Sequence, residues 1–106
     1  MKTVKPLPYY NREYLRWVLL QSLYHARPVG ANEDLLARIL HDLRLDATRT
    51  ALRQELDYLR GLGLITVYGD PEPWHAAITP AGVDVVEYNA PAPPGIARPP
   101  KYWEHR

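Results

Sequence analysis

The chain has 106 residues, 46% of them hydrophobic and 24% charged, the size and composition of one globular domain with a real core and no room for a second. It has no cysteine, which excludes disulfide staples, thiolate metal sites and a thiol nucleophile and fits a reducing compartment, so a cytoplasmic protein is expected. A net charge of +1 is far below the strongly basic balance that by itself marks a phosphate binder, and the longest aliphatic or aromatic run, residues 17–20, is too short for a signal-peptide core or a spanning helix, so no membrane partner is expected.

In chain order, residues 1–8 carry Lys2, Lys5, Pro6 and Pro8 with little apolar periodicity, the pattern of a flexible arm. Asn11 is placed to cap a first helix reaching about Ala26, with Leu15, Val18, Leu19 and Leu23 as a buried stripe and Pro28 and Gly30 ending it. Asn32 caps a second helix, Glu33 and Asp34 suit the positive end of its dipole, and Leu35, Leu36, Ile39, Leu40 and Leu43 give its expected inner face.

Residues 44–47 are a break of the length that joins two packed helices, after which Thr48 caps a third helix over residues 49–60. Leu52, Leu56 and Leu59 point it inward, and Gly61-Leu62-Gly63 supplies a positive-φ ending. Residues 64–68 and 74–78 read as two short strands, the second alternating Trp74, Ala76 and Ile78 on one side, with the turn between them at residues 69–73. Thr79 caps a fourth helix with Pro80 at its first position, and Val83, Val86 and Tyr88 are expected to pack inward.

The expected fold is thus mainly α with a small β-hairpin, in the order α-α-α-β-β-α over residues 9–89, followed by a Pro-rich extended tail over residues 90–106. This order resembles the winged helix-turn-helix superfamily over residues 9–88. The Leu59-Arg60-Gly61-Leu62-Gly63-Leu64-Ile65 and Ile78-Thr79-Pro80-Ala81-Gly82 segments are similar to its usual junctions. More narrowly, the chain looks like a family of small proteins of Mu-like phages and prophages, in which a winged helix precedes a Pro- and Gly-containing tail, here Ala92-Pro93-Pro94-Gly95-Ile96-Ala97-Arg98-Pro99-Pro100. That resemblance implies a bacterial host cell and a small transcriptional regulator that binds double-stranded DNA, with an accessory protein-binding module as the alternative.

DNA reading needs side chains that reach base edges and cations for phosphates. Arg49, Thr50, Arg53 and Gln54 share one face of the third helix, and these residue types pair with guanine, adenine or phosphate. The plainer alternative is a solvated helix face with Arg53 bonded to Asp57 one turn on. The hairpin tip opposes DNA, since Asp70 and Glu72 stand there between prolines. Residues 1–30 hold five Lys or Arg against one Glu, residues 31–60 five against six acids and residues 61–106 three against five, so Lys2, Lys5, Arg12 and Arg16 are the candidate phosphate clamp.

Tyr14, Trp17 and Tyr24 fall at helical spacing on another side of the first helix from its leucine stripe, which makes that helix apolar on two sides. Such a second stripe is either a homodimer seam or a protein interface, or it is covered by the tail, where the prolines stack on aromatics and Tyr102 and Trp103 are anchors. Catalysis has little to work with: His25, His41, His75 and His105 are scattered without metal-ligand spacing, and Gly61-Leu62-Gly63 follows a helix and precedes a strand, the reverse of a phosphate loop. Neither an enzyme nor a metal or cofactor site is expected.

Overall fold

A computed structural model of the protein describes residues 8–69 and 72–101. Among these, the elements run α1 (Pro8–His25), β1 (Ala31–Asn32), α2 (Glu33–Asp42), α3 (Arg49–Gly61), β2 (Ile65–Tyr68), β3 (His75–Ile78) and α4 (Pro80–Val86). The molecule is mainly helical, with one small antiparallel sheet in the order β1-β3-β2.

α1 begins at Pro8 rather than after an Asn11 cap. A proline costs nothing in a first helical turn, where its missing N–H has no intrahelical partner, and asparagine within a helix is only mildly unfavourable. Residues 15–20 are buried without interruption, so the middle of α1 is enclosed nearly all round, and Leu23 continues its buried face. This is why the helix is apolar on two sides.

β1 is a strand that sequence periodicity does not announce, because two residues cannot display a period of two. Ala31 pairs with Ala76 and Asn32 with His75, and the amide of Glu33 adds a 2.8 Å bond to the Trp74 carbonyl. On its other edge β3 pairs with β2 from Ile65↔Ile78 to Tyr68↔His75.

Asn32 caps α2 as its side chain accepts from the Leu35 amide at 2.9 Å, Thr48 caps α3 through the Ala51 amide at 3.0 Å, and Thr79 caps α4 through the Gly82 amide at 3.1 Å. The inner face of α2 is narrower than expected. Leu36 and Leu40 are fully buried and Ile39 half-buried, but Leu35 and Leu43 are 49% and 52% exposed. Leu35, Ile39 and Leu43 recur every four residues along one flank; Leu36 and Leu40 lie in the core and Ile39 packs against it, while Leu35 and Leu43 are left outside.

Leu52, Leu56 and Leu59 carry α3 into the core beside Glu55, itself buried, and Gly63 (φ 78°) ends the helix. α4 is short, with Val85 fully buried and Val83, Val86 and Tyr88 only half so, since Tyr88 lies past the helix end in a left-handed conformation (φ 63°). The described part of the tail packs onto the helices. Ile96 is buried, the Ala97 amide donates to the Glu13 carbonyl at 3.1 Å, and Arg98 Nη1 donates to the carbonyls of Val85 at 2.9 Å and Ala90 at 2.7 Å.

Candidate recognition face

α2 and α3 follow each other across a turn that contains the left-handed Arg44 (φ 61°), and the β2–β3 hairpin comes next in the chain. Thr50 and Gln54 are exposed on the outer side of α3, one turn apart, as the sequence led us to expect, and Asp57 continues the same line. The arginines beside them are tied to carboxylates.

Glu33, at the first turn of α2, is 1% exposed and organises this end of the molecule. Arg53 approaches it in a fork, Nε to Oε1 at 2.8 Å and Nη2 to Oε2 at 2.7 Å. Arg49 Nη1 donates to Oε2 at 2.9 Å, and the Trp74 amide donates to the same oxygen at 2.8 Å. The hydrogen bonds from Arg53, then the Trp74 amide and the charge of Arg49, outweigh burial and hold the Glu33 carboxyl at about 2. In turn the guanidinium of Arg53 is held charged chiefly by Glu33, and it also meets Glu72 at 3.2 Å and lies 4.8 Å over the Trp74 ring. Arg49 also reaches Asp34 at 3.1 Å. Asp57 pairs with Arg60 rather than with Arg53, the correction to the one-turn pairing considered from sequence.

A second buried carboxylate repeats the pattern at the other side of α3. Glu55, 3% exposed, accepts from Arg12 Nε at 2.8 Å and Arg16 Nε at 2.7 Å. Arg16 is itself 8% exposed, donates through Nη1 to the Gly95 carbonyl at 2.9 Å, and lies 3.7 Å over the Tyr58 ring. The four arginines singled out for DNA contact therefore fall into two sets, each centred on one buried glutamate: Glu33, named from sequence only for the helix dipole, and Glu55, not named at all. Arg12, Arg16, Arg49 and Arg53 do not form a continuous free positive stripe. Lys2, Lys5, Asp70, Tyr102 and Trp103 lie outside the described residues.

The aromatic side of α1 divides in three. Trp17 is buried edge-on against Tyr88, with ring centroids 6.5 Å apart. Tyr24 donates to Glu87 at 2.6 Å, a bond that raises the phenol above its ordinary value, and Tyr14 remains 48% exposed. Glu87 and Tyr88, just past the end of α4, thus meet two of the three aromatics of the stripe. Among the described residues there is no cluster of metal-ligating side chains, and no helix is long and apolar enough to cross a membrane.

The class that the fold defines is a small, mainly helical protein of four helices with a three-stranded antiparallel sheet among the described residues. No protein-family model, curated protein or solved structure matches the chain.

Proposed function

We propose that the protein is a winged-helix module that binds a partner protein through the outer face of its α2–α3 unit, consistent with an accessory protein of the small phage type that its sequence resembles. The observation that carries this reading is the double commitment of Arg49 and Arg53 to buried Glu33, which offsets much of the positive charge these two arginines would bring to a DNA phosphate backbone. Charge over the same part of the chain agrees. From β1 to the hairpin tip, the sequence sets Arg38, Arg44, Arg49, Arg53 and Arg60 against Glu33, Asp34, Asp42, Asp46, Glu55, Asp57, Asp70 and Glu72. What α2 does offer is half-exposed Leu35 and Leu43, each next in the chain to an exposed acid, Asp34 and Asp42. Its complement is an apolar protein surface with a basic border.

The second reading, a winged-helix DNA binder acting as a transcriptional regulator, is favoured by the exposed Thr50 and Gln54 and by Arg49, whose side chain is 53% exposed. Fluorescence anisotropy with duplex DNA at near-physiological salt separates the two. The protein-binding reading expects only weak, sequence-independent affinity, with Kd in the range of about 10⁻⁴ to 10⁻⁶ M, unchanged by Thr50→Ala or Gln54→Ala. Tight, selective binding lost in those two variants, both of which leave the Glu33 cluster intact, would establish the DNA reading instead.

A further inference from the structure

Away from the two glutamate clusters, the end of α1 and the loop after it, β3 and the start of α4 line an open groove of about 430 Å³. Leu23, fully buried, and half-buried Ile78 and Val83 lie at its base, with exposed Pro28 and Pro80 along its edges. Arg27 and Asp84 also line it, both exposed, and among the described residues neither makes an ion pair. The guanidinium of Arg27 is held in place by its Nε bond to the Tyr24 carbonyl at 2.8 Å and its stacking 3.8 Å over the Tyr24 ring.

Beside the groove stands Val29, 73% exposed, between two residues that line it. The loop presenting Val29 is pinned: His75 Nε2 bonds the Val29 carbonyl at 2.8 Å and the Gly30 amide bonds the Ala26 carbonyl at 3.0 Å. Gly30 (φ +84°) lies so close to β3 that a Cβ there would strike the Ala76 carbonyl oxygen. An aliphatic side chain is thus held out in water with its backbone already ordered, which lowers the entropic cost of seating it in a partner.

One patch therefore carries an apolar knob and an apolar hole, an unpaired cation and an unpaired anion. We infer that this groove is the seam of a symmetric homodimer, in which Val29 and Pro28 of each copy seat in the groove of the other and Arg27 of each meets Asp84 of the other. A two-fold interface uses the same patch on both subunits, so it must offer each feature with its complement, and this patch holds a projecting valine beside a groove and an arginine with an aspartate. The inference is independent of which macromolecule the α2–α3 face binds.

Sedimentation equilibrium of the full chain tests it. Wild type is expected to dimerise, Arg27→Glu and Asp84→Arg each to weaken association about tenfold or more, and the combined Arg27→Glu, Asp84→Arg chain to regain it, because each copy again offers opposite charges. Val29→Asp should abolish association while leaving the helical circular dichroism unchanged, and Tyr68→Asp, at an exposed position on β2, should leave it intact. A monomeric wild type, a dimer indifferent to Val29→Asp and the single charge reversals, or a failure of the combined reversal to restore association would each overturn the assignment.

Discussion

Arg53 and Glu33 meet in a two-point ion pair in which one partner is 1% exposed and the other closes the space between α3 and the hairpin. The same carboxylate takes the amide of Trp74, so α2, α3 and the approach to β3 are fastened at one group. Removing the charge leaves a buried, half-satisfied site, and Glu33→Gln is expected to cost about 3 kcal/mol, measured as a shift in urea unfolding midpoint at neutral pH. No change in midpoint would mean that the arginines are solvated rather than pinned.

The same pair sets an acid limit on the fold. Because the Glu33 carboxyl is held near 2 in the native protein against an ordinary 4.5, its contribution is fully present above the ordinary value and is lost as pH falls toward 2. Discounted for the half-exposed Arg49 side of the cluster, the loss is on the order of 2 kcal/mol. Stability measured between these two pH values should fall in wild type, and this component of the fall should be missing in Glu33→Gln.

At Glu55 the two arginines are expected to be unequal. Arg12 is half in solvent, with its side chain 52% exposed, and Arg12→Ala should cost about 1 kcal/mol or less. Arg16 is buried and also holds the Gly95 carbonyl and the Tyr58 ring, so Arg16→Ala should cost about 3 kcal/mol or more. Chemical denaturation of the two variants side by side checks the ranking, and equal losses would contradict it.

The left-handed Arg44 (φ 61°) in the turn between α2 and α3 is a backbone position that glycine occupies at no steric cost. Its side chain is exposed. Arg44→Gly should be neutral or stabilising by up to about 1 kcal/mol, visible in the thermal midpoint, whereas Arg44→Val should destabilise.

What the sequence made legible follows from the range of the interactions. The caps at Asn32, Thr48 and Thr79 involve groups three residues apart, and each was visible as a polar residue before an apolar run. The buried face of α3 at Leu52, Leu56 and Leu59 was equally plain, because a helix repeats its surface locally. The glutamate clusters were not, since Arg49 and Arg53 lie 16 and 20 residues from Glu33, and Arg16 lies 39 from Glu55. Periodicity does show that Glu55 falls between Leu52 and Leu56 on the inward side, a signal that a buried partner is needed, but not which arginine supplies it. Leu35 and Leu43 misled for the converse reason: their spacing matches a buried stripe, and only the placement of neighbouring elements leaves that flank open.

His41 carries a smaller electrostatic effect with a defined sign. Its Nδ1 lies 2.7 Å from Asp46 Oδ1, and that hydrogen bond, then the charges of Asp46 and Asp42, raise the imidazole above its ordinary 6.5. Such a group stabilises the turn at pH below the ordinary value and ceases to as pH rises through the elevated one. Both side chains are 73% exposed, so the titration itself is the better observable. Proton NMR should show His41 titrating above 6.5 and Asp46→Asn moving it down, and a His41 unmoved by that variant would contradict the assigned pair.

Gly95 tests whether the tail belongs to the domain. It sits at φ +90°, where an L side chain is strained, and an added Cβ would run into the Tyr58 hydroxyl and lie 3.0 Å from Arg16 Nη1. Those two neighbours hold the tail at consecutive carbonyls, Tyr58 at Pro94 with 2.9 Å and Arg16 at Gly95 with 2.9 Å, so neither can move away without releasing it. Gly95→Ala should therefore act at a distance along the chain, costing about 1–3 kcal/mol and weakening the contact of the next turn of the tail with α1. The Ala97 amide, bonded to the Glu13 carbonyl in the native fold, is the reporter. Its hydrogen exchange should accelerate in Gly95→Ala while core amides of α3 keep their protection order. An Ala97 amide that exchanges no faster than in wild type would mean that the tail is anchored by Ile96 and Arg98 alone.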